Sequence, residues 1–235
     1  MKIAISTACL PFSETEDALA LIKESGAKLC AVQLKTFYEY RPEFAKKHAQ
    51  NLGGVEVCSI ETNEQNFEPQ LFSPSRRVRG DGFYWLEQVL RSAQLFGAEK
   101  YVLKAPLLKG NFSDNLGYLN GISQFLAGGG ISLCIENNSL GLLNNPYAVR
   151  EIKCACPEIS FSLNLSEAAR SAYPYQMYLR AMAGSLSQVV TDSADAELLK
   201  LLKEVGFDGK IKINAQNLCG IADLKDLINQ VKSIL

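Results

Sequence analysis

Eight times along the 235 residues, a short run of β-formers is followed by a polar loop and an amphipathic helical segment. No other feature of the chain constrains its fold as much. Candidate strands begin near Ile3, Leu29, Val55, Lys100, Ile131, Ile159, Ser187 and Lys210, at spacings of 26, 26, 45, 31, 28, 28 and 23 residues. Each spacing holds one strand and one helix. With no linker or composition break between them, residues 1–235 read as one α/β domain, a single (β/α)8 TIM barrel somewhat shorter than the roughly 250 residues usual for that fold. An open doubly wound sheet is the alternative, but it usually has fewer strands and a phosphate-binding glycine turn, which this sequence lacks.

The strand at 131–137 carries the most information. Ile131, Leu133 and Ile135 alternate with Ser132, Cys134 and Glu136, so one face is aliphatic and the other is small and ends in a carboxylate. Ile159, Phe161 and Leu163 alternate likewise with Ser160, Ser162 and Asn164, and Ile211 and Ile213 with Lys210, Lys212 and Asn214. The aliphatic set packs on helices and the polar set faces the barrel axis. The last polar members, Gln33, Glu61, Lys104, Glu136, Asn164 and Asn214, then ring the C-terminal mouth, where such barrels hold their sites. Glu136 stands out, because a carboxylate closing a buried strand costs several kcal/mol unless it has a partner or a task.

Helices are expected from a capping box at Ser13 to Glu16, over 42–52, from about Phe83 to Phe96, and over 115–126, 146–154, 168–182, 196–205 and 221–234. The 45-residue spacing leaves Thr62 to Gly82 as the insertion best placed to cover the mouth. Arg76, Arg77 and Arg79 crowd its end, where they can deliver a cation to the mouth.

A net charge of −1 creates no field to draw in nucleic acid or anionic membrane. No apolar run approaches the roughly 18 residues of a spanning helix. The seven cysteines are odd in number and scattered in apolar segments, as reduced thiols of a cytoplasmic protein are. The pair Cys154 and Cys156 has no nearby histidine and makes a poor zinc site. Only eight residues precede Cys9, too few for an export signal. The expected partner is a small molecule, with no nucleic acid and no membrane.

Gly26 to Leu34 (GAKLCAVQL), Ala93 to Val102 (AQLFGAEKYV) and Ile135-Glu136-Asn137 resemble the glycine turn with second strand, the Gly-Ala with fourth strand, and the fifth-strand Ile-Glu-Asn of the xylose isomerase-like TIM barrels. That superfamily holds sugar isomerases and epimerases and the endonuclease IV type of DNA-repair enzyme, and the likeness runs nearly end to end. It implies a divalent metal held by a Glu on strand five, an Asp on strand six, a His on strand seven and a Glu on strand eight, the two glutamates also shuttling the proton. Glu136 matches the first of these, and Arg79 is the nearest match to an arginine that the family carries before its third helix, which implies a ligand-binding role for it. Asn164 and Asn214 stand at the sixth- and eighth-strand positions, and 189–192 contains no histidine, leaving Asp192 as the one further carboxylate.

Two carboxylates exchanged for amides remove charges that a hard cation wants. No catalytic metal or other cofactor is therefore expected. Lys104 is expected beside Glu136, either as an ion pair or as a group that stands in the metal's stead, polarising a carbonyl as a cation or attacking it as an amine once burial lowers its pKa. The lone histidine, His48, belongs to an outer helix, which sets the zinc-dependent repair chemistry aside. The sequence thus reads as a sugar isomerase- or epimerase-like protein acting on or binding a small polyhydroxylated ligand, with Glu136, Lys104 and Asp192 at its centre. The other reading is a catalytically silent barrel that binds a metabolite or protein partner.

Overall fold

In the computed structural model, which describes residues 1–104, 111–193, 195–215, 218 and 220–234, eight parallel strands close into a barrel in chain order. They are β1 (Lys2–Ser6), β2 (Leu29–Leu34), β3 (Glu56–Thr62), β4 (Lys100–Lys104), β5 (Ser132–Glu136), β6 (Ser160–Asn164), β7 (Leu186–Thr191) and β8 (Lys210–Ile213). Each begins within one residue of its expected start. β8 returns to β1, with Lys2 opposite Lys210 and Ile5 opposite Ile213, and this pairing closes the ring.

Around the barrel run α1 (Thr15–Glu24), α2 (Pro42–His48), α3 (Glu68–Leu71), α4 (Arg76–Phe96), α5 (Phe112–Gly128), α6 (Ala148–Ala155), α7 (Leu165–Ala169), α8 (Tyr175–Met182), α9 (Ala196–Glu204) and α10 (Ile221–Ile234). Their apolar stripes meet the aliphatic faces of the strands. Leu133, Ile135, Phe161, Leu163, Val189, Ile211 and Ile213 are all buried in this one core, each worth about 1.5–3 kcal/mol relative to exposure. A separate small cluster, Ala4, Leu29, Ala31 and Cys58, packs on the other face of its strands from Ile5, Cys30 and Val32.

Three helical expectations are corrected. The box at Ser13 does not form: α1 is capped by Glu14 without a side-chain bond, and the Thr15 hydroxyl turns to the Gln33 carbonyl at 3.3 Å and to Glu39 Oε1 at 3.1 Å. The long fourth helix starts at Arg76 rather than near Phe83, which places the three arginines on its first turn and shortens the connection from β3. The helix expected over 168–182 is two helices, because Pro174 caps α8 in an extended conformation and pushes the residue before it out of helical geometry.

Candidate functional site

A lysine and two glutamates meet inside the barrel. Lys212 Nζ on β8 donates to both carboxylate oxygens of Glu61 on β3 at 3.0 Å, and to Glu136 Oε2 on β5 at 3.4 Å. Their exposures are 1%, 3% and 1%. The residue paired with Lys212 on β1 is Ala4, whose small side chain leaves the lysine stem room to cross the interior.

Burying ions costs several kcal/mol apiece unless their remaining sites are satisfied, and the strand neighbours satisfy those of Glu136. Its Oε2 accepts from Ser162 Oγ at 3.0 Å and its Oε1 from Asn164 Nδ2 at 3.0 Å, while Gln188 Nε2 supports the Ser162 hydroxyl at 3.1 Å. Asn164 is itself held from both ends. Its Oδ1 caps α7 by accepting from Glu167 N at 3.2 Å, and Asn137 brackets its backbone with contacts of 3.0 and 2.6 Å. Burial works to raise the Glu136 carboxyl, but the Lys212 charge, the Asn164 amide, the Lys104 charge and the Ser162 hydroxyl together outweigh it and hold it below the ordinary carboxylate range. Burial likewise works to lower Lys212, and its two glutamates reverse the direction, so the ammonium is held above its ordinary value.

Lys104 lies opposite Glu136 in the β4–β5 register, as expected, but its ion pair is with Glu64 Oε2 at 2.9 Å. The ammonium bonded to Glu136 is that of Lys212. Burial lowers Lys104, and Glu61, Glu64 and Glu136 more than offset it, leaving the lysine raised and cationic. It does not have the depressed pKa that an amine nucleophile needs.

The other expected site residues are spread further apart. Gln33 is half-buried opposite Glu61 in the β2–β3 register. Asn214 follows β8, its backbone N donating to the Thr191 carbonyl at 2.9 Å, and its side-chain Oδ1 is buried with no hydrogen-bond partner among the described residues. Asp192 is exposed and bonded to the Ser166 hydroxyl. Arg79 is committed to its own connection: Nη1 donates to the Ser73 and Pro74 carbonyls at 2.6 and 3.0 Å, and the guanidinium lies 4.8 Å over the Tyr118 ring. Arg76 and Arg77 are exposed. His48 packs its ring 4.6 Å from that of Phe44, away from this site.

Sequence reasoning set Lys212 on the inward face but assigned it no role, and it passed over Glu64 and Glu68. Glu68 on α3 lies just outside the barrel wall, its Oε1 accepting from Thr62 Oγ1 at 2.7 Å and Tyr101 OH at 2.6 Å. Its Oε2 is buried without a partner among the described residues. Burial, less the effect of those two hydroxyls, raises its pKa to about 7.

No family model and no curated protein matches the sequence, whereas solved structures match over its whole length. A D-tagatose 3-epimerase-like protein superposes with a TM-score of 0.80 at 18% identity, covering 100% of this chain and 98% of that one. The D-psicose 3-epimerase of Clostridium cellulolyticum H10, solved with D-tagatose, gives 0.75 at 11% identity over 99% and 92%. A xylose isomerase domain-containing protein of Salmonella typhimurium LT2 gives 0.75 at 15% identity over 100% and 97%. The chain has the xylose isomerase-like TIM-barrel fold.

The metal implied by the resemblance to xylose isomerase-like barrels does not fit the residues present. Among the described residues, three carboxylates converge as metal donors only at Glu14, Glu16 and Glu39, in the loops and first helix after β1 and β2. At the mouth of this barrel the carboxylates of Glu61 and Glu136 already share an ammonium, and the Asn164 amide is turned with its donor, not its acceptor, toward Glu136.

Proposed function

We propose that this barrel is a sugar isomerase- or epimerase-like protein that takes a small polyhydroxylated ligand at its C-terminal mouth without a divalent metal. The observation that carries this reading is the buried Oδ1 of Asn214 beyond the end of β8, which has no hydrogen-bond partner among the described residues. A buried acceptor left unmade costs about 1–3 kcal/mol, and a ligand hydroxyl is the donor that would recover it. Lys104, with the free side of the Glu64 carboxylate, supplies a cation and an acceptor to a second hydroxyl or to a phosphate or carbonyl oxygen, and Gln33 a neutral amide. The ketohexose epimerases among the structural neighbours support the ligand class.

A catalytically silent barrel is the second reading. It is favoured by Glu136, which is held below the usual carboxylate range with both oxygens engaged and so has little capacity to abstract a proton. Calorimetric titration with ketohexoses and their phosphates in chelator tests the binding, and incorporation of solvent deuterium next to the ligand carbonyl tests the chemistry. Binding that weakens at least tenfold in Asn214→Ala supports the site. Deuterium incorporation abolished by Glu136→Gln marks an epimerase, and binding without incorporation marks the silent barrel. A lack of binding by any of these compounds at millimolar concentration rejects the ligand class.

A further inference from the structure

Three carboxylate oxygens converge on one point inside the barrel: both oxygens of Glu61 at 3.0 Å and Glu136 Oε2 at 3.4 Å from Lys212 Nζ. Glu136 is also the residue at the fifth-strand metal position implied by the resemblance. The ammonium is thus bound by the carboxylate at that position. We infer that Lys212 is a built-in cation standing in for the divalent ion of related barrels, and that the space its ammonium fills is a latent divalent-cation site formed by Glu61 and Glu136.

Three features support this. A lysine presents a compact point charge at the end of a flexible stem, and Lys212 reaches the shared position from two residues before Asn214, where the last carboxylate of the metal set is missing. The charge in direct contact is incomplete, since one ammonium touches two carboxylates, while Lys104, which also acts on both, is paired with Glu64; a divalent ion would balance both. The partners of Glu136 also suit a ligating carboxylate, because Ser162 and Asn164 donate to it and fix its orientation, as the outer hydrogen bonds of metal ligands do. The inference holds whatever ligand the mouth takes.

Titration of Mn²⁺ into wild-type protein and Lys212→Ala, followed by calorimetry and by the loss of the free-ion paramagnetic signal, tests it. Wild type should bind no equivalent at the barrel. Lys212→Ala should bind about one, more than about 100-fold tighter, because removing a like charge and freeing two carboxylates both favour the ion. Adding Glu136→Gln to that variant should abolish the binding. If Lys212→Ala does not fold alone, Mn²⁺ should restore its native circular dichroism, and failure to do so overturns the inference. A folded variant that binds no metal overturns it too, as does a wild type that binds as tightly as the variant. Sugar binding by a metal-free wild type, beside a variant that takes no metal, would reject this inference alone and leave the proposed function standing.

Discussion

A carboxylate buried with an ammonium makes stability a function of pH, and Glu136 gives that function its sign. Its folded pKa lies below the ordinary value, so the contribution is fully present above about 4.5 and is lost as pH falls through the folded value. Glu136→Gln should therefore unfold more readily than wild type at pH 7, by less than about 3 kcal/mol because Lys212 keeps Glu61. The two urea curves should draw together toward pH 3. A gap that stays constant over that range would show that Glu136 is not ionised in the native state. The face this residue occupies was legible in the sequence, since the alternation along 131–136 sets it inward. Its partner was not legible. Strand periodicity gives the face of Lys212 but not the distance its stem reaches across the barrel, and Glu61 lies 151 residues away in sequence. Lys104 drew attention instead because it sits opposite Glu136 in register, yet the nearer Glu64 takes its charge.

Elements with strong apolar periodicity were readable, and the misjudged boundaries lie where other interactions decide. The first turns of α4 are arginine-rich, exposed and interrupted by Gly80 and Gly82, so they show no apolar stripe. A Cβ at Gly80 would meet nothing within 4 Å, whereas one at Gly82 would lie 3.1 Å from the backbone N of Leu71. Gly80→Ala should accordingly stabilise the protein by roughly 0.5–1 kcal/mol, the helical penalty of glycine. Gly82→Ala should fall short of that gain, and equal gains in thermal unfolding would refute the close packing of α3 on α4. The docking of α3 also depends on pH. Glu68 has a folded pKa raised to about 7, so the native state holds a proton that the unfolded chain releases near 4.5, and stability declines as pH rises between those values. The total decline attributable to this carboxyl is on the order of 3 kcal/mol. Glu68→Gln should lose this dependence, gaining on wild type from pH 5 to about 7 in denaturant melts and levelling off above that, and parallel pH profiles would show that Glu68 titrates normally.

The barrel as a whole was legible because eight repeats of one pattern admit few other arrangements, and because closure by parallel pairing requires no signal beyond the strands themselves. What the repeats do not reveal is how the last and shortest strand is tied to the far wall. β8 does this with two lysines. Lys212 reaches Glu61 on β3, and Lys210 reaches Glu99, which precedes β4, at 2.5 Å. Both ties cross the ring, but they lie in different surroundings: the Lys212 and Glu61 side chains are 2% and 4% exposed, while that of Glu99 is 68% exposed. Water screens the Lys210 pair, so Lys210→Met should cost at most about 1 kcal/mol. At 1 M salt, where the Debye length falls to about 3 Å, even that should vanish. Lys212→Met leaves two carboxylates in the interior without their ammonium and should cost about 3–5 kcal/mol. Salt should barely change this second cost, because mobile ions do not enter the packed interior. Urea unfolding of both variants at low and high salt separates the two ties. Equal, salt-sensitive losses would mean that the interior is wet, and that Lys212 closes the barrel no more firmly than a surface pair.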